Sequence, residues 1–137
     1  MDLSGFNWGE VILAALSSFV IGYFWYGSLF GKRWKSLLGL TDQGLQKGKK
    51  PLIFGLAFLL MFIIAMLISV LIEVVMMLGA NAVMGAAFGA VLALLFVATT
   101  FGINYLFAGR SFKLYVIDVG YMIVAFAVMG FIMGAWN

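Results

Sequence analysis

Apolar residues run almost unbroken through four stretches of this 137-residue chain, roughly residues 11–30, 52–78, 82–107 and 114–136, and none of the eight Lys and Arg residues falls inside one of them. Each stretch meets the requirement of about 20 apolar residues for a helix that crosses about 30 Å of hydrocarbon. The second and third exceed it, which predicts tilt or protrusion. Gly79, Ala80 and Asn81 form the one plausible break between those two. Without a turn there, a single apolar helix would result, far longer than a bilayer crossing. The pattern predicts an all-α fold, an integral membrane four-helix bundle filling one domain.

Composition agrees. Hydrophobic residues make up 66% of the chain, charged residues 9%, and the mean hydropathy is +1.18. A water-soluble domain has no interior large enough for so much apolar surface, whereas a bilayer accepts it outside. The start of the chain does not read as a cleavable signal, because residues 1–10 carry only Asp2 and Glu10 as charges and no basic residue.

Charge placement sets the expected orientation. The segment 31–51 between the first two spans carries Lys32, Arg33, Lys35, Lys47, Lys49 and Lys50 against Asp42, and the turn after the third span carries Arg110 and Lys113. With four crossings these segments share one side, and the other side has no basic residue. The positive-inside rule puts the basic side in the cytoplasm and both termini outside. Residues 30–40 read as a short interfacial helix, with Trp34, Leu37 and Leu38 apolar and Lys32, Arg33 and Lys35 able to snorkel to phosphates. Residues 41–50 are polar and read as a mobile link, and Pro51 suits the first turn of the next helix. Lys32, Arg33, Trp34, Lys35, Arg110 and Lys113 are the expected contacts for anionic headgroups, and nucleic acid is not an expected partner.

The chain has no Cys and no His. That excludes thiolate and imidazole catalysis, Cys/His zinc sites and His-ligated haem, and no cofactor is implied. Three carboxylates remain near the spans. Glu73 stands among Leu71, Ile72, Val74 and Val75, one helical turn after Ser69. As an ionisable group in an apolar run it is a candidate proton or cation site, or a carboxyl hydrogen-bonded across helices or reaching outer headgroups. Asp118 lies a little over one turn into the fourth span and is expected to meet Arg110, Lys113 or Asn104. Glu10 is expected to be solvated at the mouth of the first span.

Small and polar residues also form stripes. Asn81, Gly85, Gly89, Ala93, Thr100 and Asn104 recur at intervals of four, apart from one seven-residue step. Glu10, Ala14, Ser18 and Gly22 form a matching row, and the fourth span offers Gly120, Ala127, Gly130 and Gly134. Such faces let helix backbones approach, or they line a narrow polar pathway through Ser18, Thr100 and Asn104. The nine Met residues suit adaptable packing. A weak internal echo relates Leu29-Phe30-Gly31-Lys32-Arg33-Trp34-Lys35 to the segment from Leu106 to Lys113, with Gly22 and Gly102 upstream. Duplicated hairpins and the ordinary composition of an inner membrane edge both account for it.

Trp25-Tyr26-Gly27, followed by Leu29-Phe30-Gly31 and Trp34, resembles the signature of the bacterial membrane proteins grouped as domain of unknown function 1761. The run from Asn104 to Arg110, then Asp118-Val119-Gly120-Tyr121 and Met129-Gly130, is similar to that family's second half, and Asn7 fits its start. The resemblance implies a small four-span protein of the bacterial cytoplasmic membrane. It implies that Asn7, Trp25, Tyr26, Gly27, Gly31, Trp34, Gly109 and Gly120 belong to what the family shares. It carries no catalytic residues. Trp25 and Tyr26 are adjacent, about 100° apart on an α-helix, so one is expected to pack inward and the other to meet lipid.

Two functions are expected to compete. One is a homo-oligomeric bundle that binds lipid or a protein partner without doing chemistry. The other is an oligomeric channel or transporter for protons, small cations or small neutral solutes, using Glu73, Ser69 and the polar face of the third span. An enzyme is not expected.

Overall fold

The computed structural model describes residues 7–39 and 50–136 of the chain. The N-terminal residues before Asn7 lie outside that description, as do the polar link at 41–49 with Lys47 and Lys49, and the side chain of Lys50. The described residues form α1 (Trp8–Tyr23), a π-helical segment (Phe24–Leu29), α2 (Gly31–Leu38), α3 (Lys50–Met77), α4 (Ala82–Leu92), a second π segment (Ala93–Val97), α5 (Ala98–Ala108) and α6 (Phe112–Trp136). Four continuous helical stretches are long and apolar enough to cross a membrane: Trp8–Leu29, Pro51–Met77, Ala82–Ala108 and Phe112–Trp136. At about 1.5 Å per residue, each of them reaches across about 30 Å of hydrocarbon. The fold is an all-α, four-span membrane bundle.

Two tight turns have local causes. After α3, Gly79 takes a left-handed φ of 82°, and its N–H donates to Met76 O at 3.0 Å. Asn81 then caps α4, its side chain accepting from Met84 N–H at 3.0 Å. Between α5 and α6, Gly109 is left-handed at φ 66°. The next N–H, that of Arg110, donates back to Tyr105 O at 3.0 Å, which closes the last turn of α5. Both conformations strain any residue with a Cβ.

Water exclusion supplies no force between helices in lipid, so the bundle depends on close backbone approach and interhelical hydrogen bonds. The tightest seam joins α4 to α6. A Cβ on Gly85 would run into Gly130 O, one on Gly130 into Gly85 O, and one on Gly89 into Phe126 O. Further along, a Cβ on Gly134 would stand 2.9 Å from Ala82 Cα. The glycine stripes are therefore used within one chain. Val11, Ala14, Ala65, Ile72, Met129 and Met133 fill the core beside this seam.

The seven-residue step in the third span proves to be a change of face. The π segment closes i+5 bonds, seen in the N–H of Ala98 bonding Ala93 O. The extra residue carries the buried stripe from Gly85, Gly89 and Ala93 to Ala98, while Thr100 and Asn104 turn outward and are exposed. The alternative of a polar pathway through Ser18, Thr100 and Asn104 finds no support within one chain, because Ser18 is fully buried while Thr100 and Asn104 are exposed.

Candidate functional site

The first π segment governs the most polar part of the bundle. Phe30 N–H bonds Trp25 O at 2.9 Å across an i+5 turn. A π turn takes more residues than an α turn, so adjacent side chains diverge less. Trp25 and Tyr26 consequently both reach α6, contrary to the expectation that one would face lipid. Trp25 Nε1 donates to Ile117 O at 2.9 Å, and its indole lies where a Cβ on Gly120 would stand, 2.9 Å from Cζ2. Tyr26 Oη donates to Asp118 Oδ1 at 2.7 Å.

Asp118 is 9% exposed and ties three spans together. Its second oxygen, Oδ2, accepts a hydrogen bond from Tyr105 Oη on α5. Its carboxylate oxygens thus go to two tyrosines, not to the Arg110, Lys113 or Asn104 expected from the sequence. A carboxylate holding two hydroxyl donors makes strong, charge-assisted bonds in a poorly solvated place. The same tyrosines support the basic surface. Trp34 of α2 packs on Tyr26 with ring centroids 4.9 Å apart, and the Arg110 guanidinium stands 5.8 Å from the Tyr105 ring centroid. Trp34, Tyr26, Asp118, Tyr105 and Arg110 thus form one connected path.

Two more tyrosines of α6 use a shared device. Tyr121 Oη donates to Ser18 O at 2.9 Å and lies against Gly22. Tyr115 Oη donates to Ala98 O at 2.7 Å and lies against Gly102. In each case the glycine follows the accepting carbonyl by four residues. A side chain there would cover that carbonyl, because helical side chains lean toward the preceding turn. Glycine leaves it open to a hydroxyl. Gly22 and Gly102, matched in the sequence echo, therefore do matching work against α6.

α2 brings the basic segments together. A groove of about 510 Å³ runs between its end and the last turn of the bundle, lined by Leu37, Leu38, Ala108, Gly109, Arg110, Ser111 and Leu114. Gly31 permits the sharp entry to α2, since a Cβ there would stand 2.7 Å from Tyr26 O. Lys32, Arg33, Arg110 and Lys113 are exposed, and Lys35 and Trp34 are half-buried. Ser111 Oγ accepts from Lys113 N–H at 3.1 Å and starts α6.

At the other end of the bundle the carboxylates exchange their expected roles. α1 begins at Trp8, so Glu10 lies inside the first turn and is 3% exposed. It is buried, not solvated. Ser69 Oγ donates to Glu10 Oε1 at 2.8 Å, while Glu73, one turn further on, is exposed. Asn7 is exposed as the residue before α1 and makes no side-chain cap, and Gly27 has open space around it.

Hydropathy does not mark Tyr105, Tyr115 or Tyr121 as site residues, and it favours Glu73, with its apolar neighbours, over Glu10. The available signal was a facing glycine four residues after a small residue, at Ser18 with Gly22 and Ala98 with Gly102. Among the described residues no three His, Cys, Asp or Glu side chains gather to hold a metal.

No curated protein and no solved structure matches the chain. A family model described as a protein of unknown function (DUF1761) matches residues 10–134, nearly the whole chain, and the protein belongs to that family.

Proposed function

We propose that this protein is a binding module of the bacterial cytoplasmic membrane. It holds the phosphate of anionic lipid headgroups in the groove between α2 and the turn before α6, with both termini outside. The observation that carries this reading is that groove, where the end of basic α2 faces Gly109, Arg110 and Ser111 although some seventy residues of sequence separate them. Leu37, Leu38 and Leu114 suit the glycerol and upper acyl region, and Arg110 suits the phosphate. Each Lys or Arg near an anionic surface contributes about 1 kcal/mol of attraction. Lys32, Arg33, Lys35 and Lys113 add to Arg110 in the same layer. The role is recognition without chemistry.

Self-association is the second part of the proposal. Thr100 and Asn104 are exposed on the third span, away from the glycine seam. Thr100 Oγ1 donates to its own Phe96 O at 2.6 Å, whereas an amide on a lipid-facing helix gains from a partner. An Asn carries both donor and acceptor, so it can satisfy itself against its own copy across a two-fold axis. Transport gains no support from these positions, because Glu73, Ser18 and Asn104 do not share a path within the chain.

The test is retention of lipid in native mass spectrometry from nanodiscs of mixed phosphatidylglycerol and phosphatidylcholine. The reading expects preferential retention of the anionic lipid, reduced in Arg110→Gln. Equal retention of both lipids would overturn it.

A further inference from the structure

The mouth of α1 holds a buried carboxyl that the headgroup reading does not use. Glu10, Ala14 and Ser18 form a row at intervals of four on α1, and Ala65, Ser69 and Glu73 form one on α3. Ala14, Ser18, Ala65 and Ser69 are all essentially inaccessible, so the two helices meet along small residues, with Glu10 at one end of the seam. Glu10 Oε1 takes the Ser69 hydroxyl. Oε2 is buried and has no hydrogen-bond partner among the described residues. An orphaned carboxylate oxygen in a packed interior needs an explanation, commonly an ion or water.

Both charge states point the same way. As an anion, Glu10 would be a buried charge with no basic side chain beside it among the described residues, a costly arrangement in a packed interior. As a neutral acid it already carries the cation, a proton. Among the described residues the facing elements supply no basic group, and Glu73 is the sole Asp, Glu, Lys or Arg on α3 after Lys50. α4 has none, and the half of α6 after Asp118 offers only Tyr121, whose hydroxyl is held by Ser18 O. Glu73 is exposed, one turn beyond Ser69 on the same helix. We propose that Glu10 Oε2 is a monovalent-cation site, taking a proton or a sodium ion that enters past Glu73.

The test is labelling of the unaltered chain in nanodiscs with dicyclohexylcarbodiimide, which modifies protonated carboxyls in apolar surroundings, with the modified residue mapped by mass spectrometry. The rate at Glu10 is followed across a pH series, with sodium or with choline as the salt. A proton at the site predicts modification at Glu10 that falls about tenfold per pH unit once the proton is lost. Sodium at the site predicts in addition that sodium, and not choline, slows modification several-fold at constant pH. Glu73→Gln should weaken the sodium protection, since it removes the neighbouring negative charge. No modification at Glu10 under any condition, or a rate indifferent to both pH and sodium, overturns the proposal.

Discussion

Replacing Gly130 by Ala tests the seam between α4 and α6 at its narrowest point. The added Cβ would meet Gly85 O, an atom of the opposite backbone, so no side-chain rotation can clear it. The helices must separate. A gap of about 0.5–1 Å forfeits a quarter to a half of the dispersion energy of each contact along the seam. Overpacking of this kind costs about 1–3 kcal/mol, set against a gain of about 1 kcal/mol from replacing Gly inside a helix. Gly55→Ala supplies the control, because a Cβ at Gly55 on α3 meets nothing within 4 Å. The expected result is a lower midpoint for Gly130→Ala, and an unchanged or higher one for Gly55→Ala, in equilibrium unfolding in mixed micelles followed by circular dichroism. Gly85→Ala should behave like Gly130→Ala. If both seam variants were as stable as Gly55→Ala, the reasoning that backbone contact holds the third and fourth spans together would be refuted.

Asp118→Asn leaves one acceptor oxygen for two tyrosine hydroxyls, so it should destabilise the fold by about 1–3 kcal/mol. A double-mutant cycle with Tyr105→Phe should give a coupling of about 0.5–3 kcal/mol, and additive effects would deny the contact. Tyr121→Phe removes the bond to Ser18 O and should cost about 0.5–1.5 kcal/mol by the same unfolding measurement. Asn104→Leu, on the exposed face of α5, should shift the native mass in nanodiscs from dimer to monomer; an unchanged mass would place any self-association elsewhere.

Hydropathy made the four spans legible, and the break at Gly79 to Asn81 could be placed because it divides residues 52–107 into two runs that are each long enough to cross a bilayer. The glycine stripes were legible too, since Gly85 with Gly89 and Gly130 with Gly134 keep helical spacing, but spacing alone does not say that the two stripes meet each other within one chain. Which carboxylate is buried was not legible. Helices that are apolar nearly all round give little sign of which face looks inward, so Glu73 with its apolar neighbours outranked Glu10. The π segments were hidden for a related reason. One inserted residue leaves hydropathy unchanged but rotates everything after it, which turned Thr100 and Asn104 outward and let Trp25 and Tyr26 share a helix face. Spacing held one clue, the seven-residue step from Ala93 to Thr100 in a stripe that otherwise repeats every four residues.

The groove between α2 and Arg110 carries the proposed headgroup recognition. Native mass spectrometry of the chain from nanodiscs containing both phosphatidylglycerol and phosphatidylcholine tests it most directly, with Arg110→Gln in parallel. The account predicts that the unaltered chain keeps phosphatidylglycerol in preference, and that Arg110→Gln loses this preference while unfolding at the same midpoint. Indifference of the unaltered chain to headgroup charge, or an undiminished preference in Arg110→Gln, would contradict it.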